Sequence, residues 1–96
     1  MYQYRIYVGC NVPSGGAYPP DVVEIVGLRS CPFDGCTVQH VKGTWKGVEE
    51  KTVVFEYIGG DTEDRRMVRA WAEKLKADFS QEAVLFTRCV IDSFFV

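Results

Sequence analysis

In the stretch Lys51–Phe79, KTVVFEYIGGDTEDRRMVRAWAEKLKADF, the apolar spacing changes from a two-residue to a helical period partway along, and that change decides the fold. Within KTVVFEYI, Val53, Phe55 and Tyr57 point one way, and Val54 and Ile58 the other, as in a strand. Both faces are partly apolar, so each needs cover. A helix layer suits one face and a second subunit's sheet the other. GGDTED then opens a helix, with Asp61 or Thr62 as its N-cap and Glu63 and Asp64 complementing the helix dipole. Val68, Trp71, Ala72, Leu75 and Phe79 form one apolar stripe, and Arg65, Arg66, Arg69, Glu73, Lys74 and Lys76 fall largely outside it.

Working outward, Tyr4–Cys10 alternates as a strand, with Tyr4, Ile6 and Val8 on one face. NVPSGGAYPP is a Gly- and Pro-rich loop. Asp21–Leu28 follows two prolines and reads as a helix whose Val22, Val23, Ile25 and Val26 cover one side, although its β-branched run also fits a strand. CPFDG is a turn by its chemistry, Thr37–Lys46 a strand, Gly47–Glu50 a hairpin connection and Gln81–Arg88 a last strand. The order strand, helix, strand, strand, helix, strand predicts an α+β, ferredoxin-like βαββαβ domain with both helices on one face of an antiparallel sheet. The bare face then predicts a dimer or higher oligomer. One domain spans residues 1–96, with a core over 1–89 and an apolar tail over 90–96 that could reach across to a partner.

The 96 residues carry 11 Lys and Arg against 13 Asp and Glu, so no basic face for nucleic acid is expected. No apolar run is long enough to span a membrane, and the first residues read as a strand rather than a secretion signal, which suggests a cytoplasmic protein. In that compartment four cysteines are expected to be free thiols. The aromatic share of 14% is generous for so small a core and points to rings at an interface or pocket.

Several segments are chemical candidates. Cys31 and Cys36 have four residues between them, but the chain offers no second ligand pair, so neither a metal nor any other cofactor is expected. A reversible Cys31–Cys36 disulfide is the alternative to two packed thiols. His40 lies four residues beyond Cys36. In a strand that is about 13 Å, too far for a direct nucleophile–base hydrogen bond. Ser14, Gly15 and Gly16 precede a helix start and could cradle an anion through backbone N–H groups, although the P-loop ending is missing. Glu56 within its strand is expected to pair with an arginine such as Arg5 or Arg88.

Three phrases, CPFDGCTVQHVKGTWKG, EEKTVVFEYI and ADFSQEAVLFTR, occur in that order. They resemble the pattern F-P-x-G-x-T-V, G-x-W-x-G, E-x-S, F-x-Q-E-S-V-L of a family of small bacterial proteins known only as a domain of unknown function. Phe33, Gly35, Thr37, Val38, Gly43, Trp45, Gly47, Glu50, Thr52, Phe79, Gln81, Glu82, Val84 and Leu85 carry the match, from a start like Arg5–Asn11. Thr52 and Ala83 stand where the pattern has Ser, and Asp34 where it has Pro. Cys31 and Cys36 lie outside the pattern, which lowers the case for thiol chemistry. The resemblance, in a chain without a secretion signal, implies a role in a phage or mobile element.

The expectation drawn from these observations is a small non-enzymatic binding protein. It would sequester a small anionic or nucleotide-like ligand at a subunit interface, with phage counter-defence as one setting. The expected ligand-binding residues are Ser14, Gly15, Gly16, Tyr18, His40, Trp45, Glu50, Arg65, Arg66, Arg69, Gln81 and Glu82; no catalytic residue is assigned. Two alternatives remain. One is an interaction module or inhibitor that docks on a host protein through the bare sheet face or the tail. The other is a small-acid isomerase or lyase in which His40 or Glu50 acts as base and an arginine holds the substrate.

Overall fold

The computed structural model describes residues 1–96. Six elements follow in the expected order: β1 (Tyr2–Gly9), α1 (Pro20–Ser30), β2 (Thr37–Trp45), β3 (Val48–Gly59), α2 (Thr62–Asp78) and β4 (Leu85–Val90). The sheet runs β2-β3-β1-β4 with every neighbouring pair antiparallel, the ferredoxin-like arrangement. No helix is long and apolar enough to cross a membrane.

The core forms where the two-residue period meets the helical one. Tyr4, Ile6 and Val8 of β1, Cys10 just after it, and Val53 and Phe55 of β3 are buried against Val68, Trp71, Ala72, Leu75 and Phe79. Of the two arginines expected for Glu56, Arg5 is the partner, at 2.9 Å. Arg88 instead pairs with Asp61. Asp61 is the N-cap of α2 by position, but its side chain makes no capping bond. The neighbouring Asp64 accepts from the Gly60 N–H at 2.7 Å and from the Tyr57 hydroxyl at 3.3 Å.

Three local features differ from the sequence expectation. In α1, only Val23 and Gly27 are fully buried, while Val22 and Ile25 are exposed. The side that meets the sheet is chosen by Gly27, whose missing Cβ leaves room for the Phe55 ring. Gly47–Glu50 is not a connection. Lys46 and Gly47, both at positive φ, make a two-residue turn, and β3 starts at Val48. Glu50 is therefore a strand residue opposite Gly43.

The last strand starts at Leu85 rather than Gln81 because α2 ends in a Schellman motif. Ser80 sits at φ 50°, its N–H donates to Ala77 O at 3.3 Å, and the Gln81 N–H donates to Lys76 O at 3.0 Å. Beyond β4, the Ile91 N–H donates to Met1 O at 3.0 Å, while Phe94 and Phe95 are exposed.

Candidate functional site

Residues of β1 and β3 that point away from the helices meet in register: Arg5 with Glu56, Tyr7 with Val54, Gly9 with Thr52. On the far side of β3, Gly43 faces Glu50 and Trp45 faces Val48. Two glycines therefore leave bare backbone in the sheet. A Cβ on Gly9 would overlap the Glu50 carboxylate, and one on Gly43 would fall 2.7 Å from Thr52 Oγ1. Glu50 and Thr52 lie over those gaps and form the floor of a cavity of about 460 Å³ on the helix-free face. Its walls come from Tyr7, from Asn11–Pro13, from the β2–β3 turn with Trp45 and Lys46, and from Gln81–Ala83 with Leu85.

The polar groups of this cavity are organised. The Asn11 N–H donates to Glu50 Oε2 at 3.0 Å. Gln81 Nε2 donates to the carbonyls of Asn11 at 2.9 Å and Phe79 at 3.1 Å. Lys46 Nζ lies 2.8 Å from Glu82 Oε2, which also accepts from Trp45 Nε1 at 3.4 Å. Hydrogen bonding to Lys46 first, and to Trp45 next, holds the Glu82 carboxyl below its usual range. Burial first, and the nearby Glu50 charge next, push the Cys10 thiol up. Of the charged residues lining the cavity, Lys46 is already matched by Glu82, so Glu50 is the carboxylate without a cation partner. The cavity suits a cation better than the anion expected from the sequence.

The Lys46–Glu82 pair ties the turn between β2 and β3 to the segment before β4. Because the Glu82 carboxyl is lowered, the pairing is complete above the usual carboxylate range and is lost only as pH falls through the lowered value. The Trp45 indole N–H resonance should therefore hold its position from neutral to mildly acid pH and move only below the usual range. Added salt should weaken this exposed tie as well. A Trp45 resonance that moved near neutrality would refute the pairing.

Of the expected ligand-binding residues, Trp45, Glu50, Gln81 and Glu82 come together here. The others do not. Ser14, Gly15 and Gly16 are exposed and line neither of the two main cavities. Their loop is folded on itself, with the Gly15 N–H on Val12 O and the Val12 N–H on Gly16 O. The following helix starts at Pro20, which has no N–H to offer an anion.

Tyr18 packs edge-on against Phe79 with ring centroids 5.0 Å apart. His40 lies on the helix side of β2 and contacts Glu24 of α1 at 2.8 Å. Tyr18, His40 and Glu50 all border a second, charge-mixed cavity of about 850 Å³ at the start of α1. Arg65, Arg66 and Arg69 are exposed on α2, across the sheet from the first cavity, and Arg66 and Arg69 pair with Glu63 and Glu73 of their own helix. No arginine lines the cavity; its cation is Lys46.

Cys31 and Cys36 are free thiols beside the core, and burial first, with Cys31 next, pushes Cys36 up to about 11. No cluster of three or more His, Cys, Asp or Glu side chains could hold a metal. Sequence reasoning missed Tyr7, Gly9, Asn11, Lys46 and Thr52. Tyr7 carried a signal, an aromatic at the outward phase of β1. Asn11 acts through its backbone and carried none.

A small α+β domain with a half-open cavity on its helix-free face is thus the class that fold and site define. No family model matches the chain, and no curated protein matches it. Among solved structures, it is similar to a phage SAM lyase in the apo state, with 28% identity and a TM-score of 0.73 over 92% of this chain and 78% of the other. It is also similar to a phage SAM lyase in complex with S-methyl-5'-thioadenosine, at 26% identity and a TM-score of 0.71 over 92% and 79%. These neighbours overturn the non-enzymatic reading and point toward an enzyme. The lyase alternative stands closer to them, and their phage origin agrees with the expected setting. The nucleotide-like ligand expected from the sequence is of the kind that the second neighbour binds.

Proposed function

We propose that this chain is an enzyme that cleaves S-adenosylmethionine and releases S-methyl-5'-thioadenosine. The observation that carries the reading is the likeness to phage SAM lyases over nine-tenths of the chain, one of them holding that thioadenosine. The cavity supports it chemically. The substrate is a sulfonium with an α-ammonium group, and Glu50 offers a carboxylate without a cation partner. Tyr7 and Trp45 offer aromatic surface for a purine.

The product retains sulfur, methyl and adenosine, so the bond broken is that between sulfur and the γ-carbon of the amino-acid arm. Its electron pair stays on sulfur, which becomes neutral. A lyase uses no water. The four-carbon fragment either closes on its own carboxylate oxygen or loses a β-proton to a base. Removing the positive charge weakens the hold of Glu50 on the product and favours its release. In a phage setting, consuming this methyl donor would deprive host methylation reactions. Self-association over the helix-free face would cover exposed Val41, Val48 and Leu85.

The test is incubation of purified protein with S-adenosylmethionine, with chromatography for the thioadenosine and NMR for the four-carbon fragment, whose lactone and alkene forms are isomers. Thioadenosine formation above the spontaneous rate is expected. Binding without turnover would overturn the reading.

A further inference from the structure

We propose that Gln81 is a positioning residue for Glu50, acting through the backbone of Asn11. The inference rests on the reading of Glu50 as the carboxylate that meets the substrate cation. The one hydrogen bond to that carboxylate comes from the Asn11 N–H at 3.0 Å. Asn11 lies just beyond the end of β1, where the sheet no longer holds the chain. On its N-terminal side the backbone is secured, because the Cys10 N–H donates to Lys51 O at 2.9 Å and Cys10 O accepts from the Tyr18 N–H at 2.8 Å. On its C-terminal side the Asn11–Ala17 bridge, with the Val12 N–H on Gly16 O, ties the chain only to its own loop, whose residues 13–16 are exposed. There the Asn11 carbonyl accepts from Gln81 Nε2 at 2.9 Å.

Gln81 is well placed for this task. Its own N–H is locked to Lys76 O by the Schellman motif that ends α2, and its second amide proton is held by Phe79 O at 3.1 Å. The carboxamide therefore has a fixed base, and it joins the end of α2 to the backbone that orients Glu50. With both protons of Nε2 committed to carbonyls, this nitrogen has none left for a ligand. Supporting hydrogen bonds of this type set the orientation of the group that meets the substrate, and losing one commonly costs activity without changing the contacts to the substrate itself.

Two variants test the role. Gln81→Leu removes both donors at similar size. Gln81→Glu keeps the shape and, when ionised, turns oxygen toward two carbonyls; it serves if the Leu variant does not fold. The expected result is a loss of kcat for thioadenosine release of about tenfold, with KM changed by less than about twofold. A second readout needs no turnover. In the parent protein, Glu50→Gln should shift the Asn11 amide proton resonance, because a charged acceptor is lost. In the Gln81 variant the same substitution should leave that resonance nearly unmoved.

A rise in KM at unchanged kcat, or an Asn11 shift equal in both backgrounds, would overturn the positioning role. A parent protein that releases no thioadenosine refutes the lyase reading, and the Asn11 comparison still decides this one.

Discussion

Glu50→Gln should lower the rate of thioadenosine release by tens- to thousands-fold while leaving the fold intact. The size follows from removing one partner of a close charge pair, which costs about 2–5 kcal/mol where the partner is desolvated. The fold should survive because the Asn11 N–H can donate to the new amide oxygen much as it does to Glu50 Oε2. Circular dichroism and thermal melting would check the fold, and initial rates with S-adenosylmethionine would check the loss. His40→Ala is the companion measurement. His40 contacts Glu24 on the other side of the sheet, so its loss should leave the rate within about twofold. Near-full activity in Glu50→Gln would remove this carboxylate from the chemistry.

Gly27→Ala should be the most damaging single-methyl change to stability. A Cβ at position 27 would overlap the ring of Phe55, which is fully buried. That ring cannot retreat freely, since it packs against Trp71 with centroids 5.4 Å apart. Trp71 Nε1 in turn donates to the Gly27 carbonyl at 3.2 Å. Alanine gains about 1 kcal/mol of helix propensity. Overpacking costs about 1–3 kcal/mol, and separating the Trp71 bond about 1–3 kcal/mol more. A net loss of about 3 kcal/mol lowers the melting temperature of a domain this size by about 12–24 °C. An unchanged or higher melting temperature would show that α1 slides along the sheet without cost, and that Gly27 does not set its position.

The functional corrections share one physical origin. The loop Ser14–Gly16 and the cluster Arg65, Arg66 and Arg69 have the composition of an anion site, and the expectation followed composition. In the folded chain the Gly15 N–H is taken by Val12 O, and two of the three arginines pair along α2. The residues that do converge, Trp45, Glu50, Gln81 and Glu82, come from two separate stretches of sequence and belong to the phrases that carried the family resemblance. Spacing along the chain could not reveal that they meet, because they are brought together by hydrogen-bonded register across β2, β3 and the end of β1.

Local rules were enough for the order of elements, the α2 stripe and the inward face of β1. Each depends on side-chain period and on neighbours within one strand or helix turn. Tertiary structure alone decided which side of α1 meets the sheet, that Glu50 belongs to a strand, and that its carboxylate lies over Gly9 beneath a cavity. Those outcomes depend on where atoms are missing and on what lies opposite. A glycine marks a possible close approach in a sequence, but only the packed partner determines what fills the space.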